Sequence, residues 1–212
     1  MPDIDYASIK EITTLTARFP TTDQLIEYLE GLYKGIMSLS GGRFDPVRNP
    51  AQRFKISTHL LRSKEDMLRA QKLGVNRYIY PLEIFDAERR KRYMTSNLHA
   101  ESKGDSSFEE VLSVLETASS VFGRENVEVV VLVGIDTYDD TLNGINRLHS
   151  LGYRIVTYNA FRVYDHDQID MYQMTLEEIV DAISYIEELF TGGFKQVVNF
   201  GNRHAGRLYR QL

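Results

Sequence analysis

Hydrophobic and polar positions along this chain follow two spacings, one typical of strands and the other typical of helices. Short runs rich in β-branched and aromatic residues are followed by longer stretches in which apolar residues recur every three or four positions. This alternation is the pattern of a parallel α/β fold. The predicted strands are residues 9–16, 36–40, 54–58, 77–82, 127–133, 154–158 and 196–200.

About six helices are predicted between these strands, one of them at residues 108–122. Gly35 is interpreted as the end of the first helix, so residues 36–40 are assigned to the second strand, which Gly41 and Gly42 close. Residues that cap helix N-termini well stand at several of the expected helix starts, namely Thr21, Ser63, Asp86 and Thr175.

The segment 127–133 carries the strongest strand signal, since it consists of five valines, a glutamate and a leucine. A nearly continuous apolar run of this kind is typical of a strand covered on both faces, as in a parallel sheet. The predicted fold class is therefore α/β: a parallel (β/α) partial or complete TIM-like barrel of about six to seven strands. We expect residues 1–212 to form a single domain, and a flat doubly wound sheet is the alternative.

The composition is that of an ordinary globular protein, with 42% hydrophobic and 26% charged residues. No apolar run approaches the roughly 18 residues that a membrane helix needs, so no membrane association is expected. The first residues are acidic and lack the basic and apolar parts of a signal peptide, which predicts a cytoplasmic protein. The basic cluster at residues 89–92 is interpreted as a solvated helix face, and nucleic-acid binding is not expected.

The sequence contains no cysteine. This excludes disulfides, cysteine nucleophiles, thiolate zinc sites and iron–sulfur clusters held by cysteines of this chain. The five histidines show no HxH or HExxH spacing, so no metal site is expected either.

In parallel barrels the working residues lie at the carboxyl ends of the strands. The strand assignments place three candidate catalytic residues there: Glu83, Asp136 and His59. A buried carboxylate at Glu83 would need a cationic partner, either an internal salt bridge with Arg43 or Arg162 or a ligand cation. His59 is a candidate general base, and a histidine that is simply hydrogen-bonded within the fold is the alternative.

Four segments, in this order, resemble motifs of the radical-SAM enzymes, in the branch of biotin synthase, ThiH and the hydrogenase maturases. They are residues 36–42, residues 73–78 with 80–86, residues 130–136 and residues 174–179. In that family the Gly-Gly segment receives the amino group of S-adenosylmethionine, and the glutamate of the fourth-strand motif lies beside the cofactor. The resemblance therefore implies that S-adenosylmethionine or a related small molecule binds at the barrel mouth. The cofactor-binding residues that it implies are Ser40, Gly41, Gly42, Glu83, Gly134, Asp136 and Asn159.

The chain also departs from the family pattern. The family's CxxxCxxC loop belongs between the first strand and the first helix, where this chain has only residues 17–20. Arg43 stands where the family has a glutamate after Gly-Gly, and Thr137 stands where the fifth-strand motif has its glutamate. Without the cluster there is no electron to cleave S-adenosylmethionine.

Two functions follow from this combination. One is an enzyme of altered mechanism that binds S-adenosylmethionine or a related small molecule without an iron–sulfur cluster. The other is an inactive radical-SAM-like pseudoenzyme that acts as a binding or partner subunit, with another protein or in a homodimer. If the resemblance does not hold, a small barrel lyase or phosphosugar enzyme using Glu83 and His59 comes next.

Overall fold

The computed structural model describes residues 9–15, 19–94, 103–161 and 174–190, in which five parallel strands alternate with helices. Each strand lies next to its predecessor, in the order β1-β2-β3-β4-β5. This order is that of a (β/α) barrel wall, whereas a doubly wound sheet reverses its order at a switch point. The fold is therefore α/β and a partial TIM-like barrel, as the sequence predicts. The strands are β1 Glu11–Leu15, β2 Arg53–Ser57, β3 Arg77–Glu83, β4 Val127–Val133 and β5 Arg154–Ala160.

Six α-helices connect or follow these strands within the described residues. The predicted N-caps are confirmed: for example, the Thr175 side chain accepts from Glu178 N at 3.2 Å, and Glu178 returns the bond in a capping box. Two short 3-10 helices, Lys103–Asp105 and Arg124–Asn126, complete the described part. The helices are α1 Thr22–Ser40, α2 Lys64–Lys72, α3 Ala87–Met94, α4 Phe108–Phe122, α5 Tyr138–Ser150 and α6 Leu176–Leu189. None of these helices is long and apolar enough to span a membrane.

The predicted strand at residues 36–40 is wrong, because these residues form the last turns of α1. The glycines Gly31 and Gly35 lie on the exposed side of the helix, with no atoms within 4 Å of where a Cβ would stand. A glycine at such a position costs a helix only about 1 kcal/mol, which burial of the opposite face offsets. The predicted final strand at residues 196–200 lies outside the described residues.

The described chain divides into two compact units. Unit 1 takes its described residues from Met1–Pro81 and Glu109–Glu128, and unit 2 takes them from Leu82–Thr95, Lys103–Phe108 and Val129–Leu212. The expectation of a single domain remains a prediction. In unit 1 the fully buried apolar side chains include Leu25, Leu29, Phe54, Ile56, Met67 and Leu115. In unit 2 they include Ile84, Val131, Val133, Ile145, Leu148, Ile155 and Ile186.

Substituting alanine for glycine is expected to have opposite effects at two helical positions. A Cβ at Gly144 in α5 would lie 2.1 Å from Phe85 Cδ1, whereas a Cβ at Gly35 in α1 meets nothing within 4 Å. Gly144→Ala should therefore lower the free energy of unfolding by about 1–3 kcal/mol through overpacking. Gly35→Ala should raise the free energy of unfolding by about 0.5–1 kcal/mol. Urea unfolding of both variants measures the two signs, and a stabilising Gly144→Ala would show that Phe85 does not pack there.

Candidate functional site

Asp136 is a fully buried carboxylate that lies three residues beyond the end of β4, in unit 2. Its Oδ2 accepts from Phe85 N at 2.6 Å, and its Oδ1 accepts from Asp86 N at 3.2 Å. Arg89 approaches Oδ1 through NH1, at 4.0 Å. Burial raises the pKa of the carboxyl to about 6, against the opposing effect of the two backbone N–H groups and Arg89. The carboxylate thus fixes the segment that follows β3.

The Arg90 side chain donates hydrogen bonds to the backbone carbonyl groups of the same segment. This side chain is 1% exposed and donates to Ile84 O at 2.7 Å, Phe85 O at 2.8 Å and Ser106 O at 2.5 Å. The interpretation of residues 89–92 as a solvated helix face is therefore wrong for Arg90, because helical periodicity turns this position of α3 inward. The N–H groups of Phe85 and Asp86 donate to Asp136, and the C=O groups of Ile84 and Phe85 accept from Arg90, so the turn after β3 is clamped on both sides.

Glu83 ends β3 in a left-handed backbone conformation, with φ of 66°. This conformation is uncommon for a residue other than glycine and costs about 1 kcal/mol or more. The Glu83 side chain is partly buried and its Oε1 accepts from Lys103 Nζ at 2.7 Å, within unit 2. The cation that the structure places on Glu83 is therefore Lys103, whereas Arg43, one of the expected alternatives, donates through Nε to Ser40 O at 3.0 Å. Arg162 lies outside the described residues.

Gly134 and Asn159 are the other implied cofactor residues in unit 2. Gly134 has φ of 119°, and a Cβ there would lie 2.2 Å from Phe161 O. A close approach of two backbone segments therefore accounts for this glycine without a ligand. Asn159 lies near the end of β5, and its buried Oδ1 has no hydrogen-bond partner among the described residues.

Ser40, Gly41 and Gly42 lie in unit 1, where they end a helix. Gly41 has φ of 56°, its N–H donates to Ser38 O at 3.2 Å, and the Gly42 N–H donates to Met37 O at 3.0 Å. These two bonds form a Schellman motif, the usual way in which a helix closes on glycine. Since the resemblance requires a Gly-Gly after a strand, its first motif does not hold in the structure.

His59 also belongs to unit 1 and follows β2. The residue is buried, and its carbonyl accepts from Arg62 Nε at 3.2 Å. Of the candidate catalytic residues, Glu83 and Asp136 thus fall into unit 2 and His59 into unit 1.

Sequence reasoning missed Lys103 and the buried role of Arg90. Lys103 lies in a polar stretch without periodicity, so no sequence signal pointed to its ion pair with Glu83. For Arg90 a signal existed: the spacing of Ala87 and Arg90 places both on one side of a helix. This spacing was overlooked because residues 89–92 are all basic, which favoured a solvated helix face.

The residues present do not fit the family's cofactors. A cysteine-ligated cluster has no ligands in this chain, since the sequence has no cysteine. The Gly-Gly segment closes a helix with the N–H groups of both glycines. Each carboxylate oxygen of Asp136 accepts a hydrogen bond from a backbone N–H group, and Glu83 forms an ion pair with Lys103.

Comparison with solved structures finds similar folds. The FeFe-hydrogenase maturase HydG from Carboxydothermus hydrogenoformans matches at a TM-score of 0.61 and 15% identity, over 95% of this chain and 44% of that one. A second HydG structure matches at 0.57 and 12% identity, over 96% of this chain and 44% of that one. A morphinone reductase mutant in complex with tetrahydroNAD matches at 0.50 and 10% identity, over 98% of this chain and 72% of that one.

The chain spans less than half of the HydG chains that it resembles, 44% in both cases. At these identities the likeness concerns the fold alone, and it agrees with the partial TIM-like barrel described above. No family model and no curated protein matches the sequence.

Proposed function

We propose that this chain is a non-catalytic radical-SAM-like barrel that acts as a partner subunit. The observation that carries the proposal is the state of Asp136, the buried carboxylate that the resemblance assigns to cofactor binding. Both of its oxygens accept backbone N–H bonds, from Phe85 and Asp86. A carboxylate used in this way stabilises the fold, and with no exposed surface it is not presented to a ligand.

The helix cap at Gly41 and Gly42 supports the same conclusion. A cofactor amino group would need backbone acceptors presented by a strand end, whereas this segment closes α1. The absence of cysteine removes the electron source of the family's chemistry. A barrel that has lost both features retains its surfaces, and a binding role remains open to it.

The proposed contact surface is the edge of the sheet at β1. In the described strand order β1 pairs with β2 on one side only, and Leu15 at its end is 79% exposed. A strand edge that has no second neighbour among the described strands and carries an exposed apolar side chain favours strand addition. Because two copies of one edge can pair about a twofold axis, the partner that we infer is a second copy of this chain.

An enzyme that binds S-adenosylmethionine or a related molecule is the second candidate. Two observations in unit 2 favour it: the strained backbone of Glu83, and the Asn159 Oδ1 that lacks a hydrogen-bond partner among the described residues. Strained residues at strand ends occur often at functional sites. The two candidates differ in one measurable property, which is affinity for S-adenosylmethionine.

Isothermal titration with S-adenosylmethionine is expected to give no saturable heat, because Asp136 is buried with backbone partners, Glu83 pairs with Lys103 and the Gly-Gly segment closes α1. Glu83→Ala is the test variant, and Glu30→Ala on the exposed face of α1 is its control. Micromolar binding that Glu83→Ala weakens by about tenfold or more, roughly 1.4 kcal/mol, while Glu30→Ala leaves it unchanged, would overturn the proposal in favour of the enzyme.

Sedimentation equilibrium on the same preparation examines the partner. We expect concentration-dependent association that Leu15→Lys weakens, since a charge on the strand edge opposes edge-to-edge pairing. If the protein stays monomeric at concentrations up to roughly 100 μM, this result contradicts the pairing of two copies.

A further inference from the structure

Five charged side chains at the amino-terminal ends of the first four strands alternate in sign. The strand register places Glu11 opposite Arg53, and Lys55 opposite Arg77. Glu128 is the second residue of β4, and all five residues belong to unit 1. This arrangement brings cations and anions into one row across the sheet.

The row runs from one arginine to another through two carboxylates. Arg53 NH1 lies 3.7 Å from Glu11 Oε2, and Lys55 Nζ lies 3.1 Å from Glu11 Oε1. On the other side of Lys55, the Glu128 Oε2 lies at 3.7 Å, and Glu128 Oε1 accepts from Arg77 NH1 at 3.0 Å. The lysine therefore bridges both carboxylates, and among the described residues each terminal arginine forms an ion pair with one carboxylate.

The charges in this row do not balance. Three cations face two anions, which leaves one positive charge in a chain whose net charge is −5. Glu128 is 1% exposed and Arg77 is 15% exposed at its side chain, so solvent screens this part of the row poorly. A guanidinium has five N–H donors, and Arg77 uses one of them here while Arg53 makes no hydrogen bond at its 3.7 Å contact.

Both terminal arginines line one pocket of about 340 Å³ in unit 1. Amide side chains form its other polar walls, and backbone groups hold them in place. Asn76 Nδ2 donates to Gln52 O and Gln71 Nε2 donates to Val121 O, each at 2.8 Å. Arg53 and Arg77 are the charged residues of this lining, so they supply the positive charge that a ligand in the pocket meets.

We propose that this pocket binds the oxyanion group, carboxylate or phosphate, of a small molecule that bridges Arg53 and Arg77. An anion between the two arginines supplies the missing negative charge and closes the alternating row. Guanidinium groups recognise planar carboxylates and phosphates through paired N–H bonds, which suits this position. The pocket volume is at the lower end of the range for small-molecule sites. The site lies at the amino-terminal ends of the strands, whereas barrel enzymes carry out their chemistry at the carboxyl ends.

Titration with inorganic phosphate and with succinate, each at constant ionic strength maintained with chloride, tests the proposal. We expect saturable binding of at least one anion by calorimetry, with matching shifts of arginine Nε–H resonances. The test variant is Arg53→Gln, because the Arg53 side chain is 48% exposed and its loss leaves the buried pair of Arg77 and Glu128 intact. Arg48→Gln, at a side chain that is 88% exposed, is the control.

Arg53→Gln should weaken binding by about tenfold or more, and Arg48→Gln should change it by less than about twofold. Saturation by phosphate alone assigns the site to phosphoryl compounds, and saturation by succinate alone assigns it to carboxylates. Saturation by both supports recognition of the shared oxyanion. Failure of both anions to saturate, or equal affinities of Arg53→Gln and the wild-type protein, would overturn the proposal. Arg53 and Arg77 are not among the residues that the resemblance assigns to S-adenosylmethionine binding. The two proposals can therefore fail independently.

Discussion

Replacing Arg90 by methionine is expected to lower the free energy of unfolding by about 3 kcal/mol or more. The guanidinium is buried and donates to the carbonyl groups of Ile84, Phe85 and Ser106. Methionine fills part of the volume but offers no donor, so these carbonyls lose their partner in a site that water reaches poorly. Urea unfolding followed by circular dichroism measures the change.

Arg92→Met is the matched control, because Arg92 lies on the exposed side of the same helix. Its substitution should change the free energy of unfolding by no more than about 0.5 kcal/mol. Equal unfolding midpoints for the two variants would contradict the clamp that Arg90 forms on the segment after β3.

Asp136→Asn is expected to remove a pH dependence of stability. The folded-state pKa of Asp136 is raised to about 6 from an ordinary value of 3.8, chiefly by burial. The folded protein therefore binds this proton more tightly than the unfolded chain does. The stabilisation is fully present below the unfolded-state pKa of 3.8 and is lost as the pH rises through about 6.

The loss over this window amounts to at most about 3 kcal/mol, at roughly 1.4 kcal/mol for each pKa unit. Urea unfolding from about pH 4 to about pH 7 should show the wild-type protein losing stability relative to Asp136→Asn across that range. Arg89 and Asp86 also face this carboxyl, and Arg89 opposes the rise of its pKa while Asp86 adds to it.

Asp139→Asn provides the comparison, since Asp139 is exposed in the first turn of α5. The stability difference between this variant and the wild-type protein should stay nearly constant with pH. If Asp136→Asn and Asp139→Asn give parallel curves, Asp136 does not titrate in the expected range.

The elements with strong periodicity were predictable from the sequence. The predicted strand at 127–133 coincides with β4, and the predicted helix at 108–122 coincides with α4. In the helix the apolar residues recur at one spacing, and in the strand they form a nearly continuous run, so local preference and burial favour the same structure. At residues 36–40 the sequence pattern does not decide the structure, because a short apolar run after Gly35 suits a strand as well as a helix.

The candidate site was predictable only in its position along the chain. Glu83 is the last residue of β3 and Asp136 stands three residues beyond β4, so both lie at carboxyl ends of parallel strands, as the rule for barrels requires. Their partners could not be predicted, since Lys103 follows Glu83 by twenty residues and the donors to Asp136 are backbone N–H groups fifty residues earlier. Backbone groups have the same chemistry in every residue and leave no trace in a sequence.

The sequence by itself determined the α/β class, most helix starts and the exclusion of a cysteine-ligated cluster, because each depends on local spacing or on composition. Only the tertiary structure decided that Gly41 and Gly42 close a helix, that Arg90 is buried and that Asp136 anchors a turn. It also decided that Arg53 and Arg77 line one pocket. These outcomes depend on which groups meet across the fold, and the energy of a buried charge is set by neighbours that lie far away along the chain.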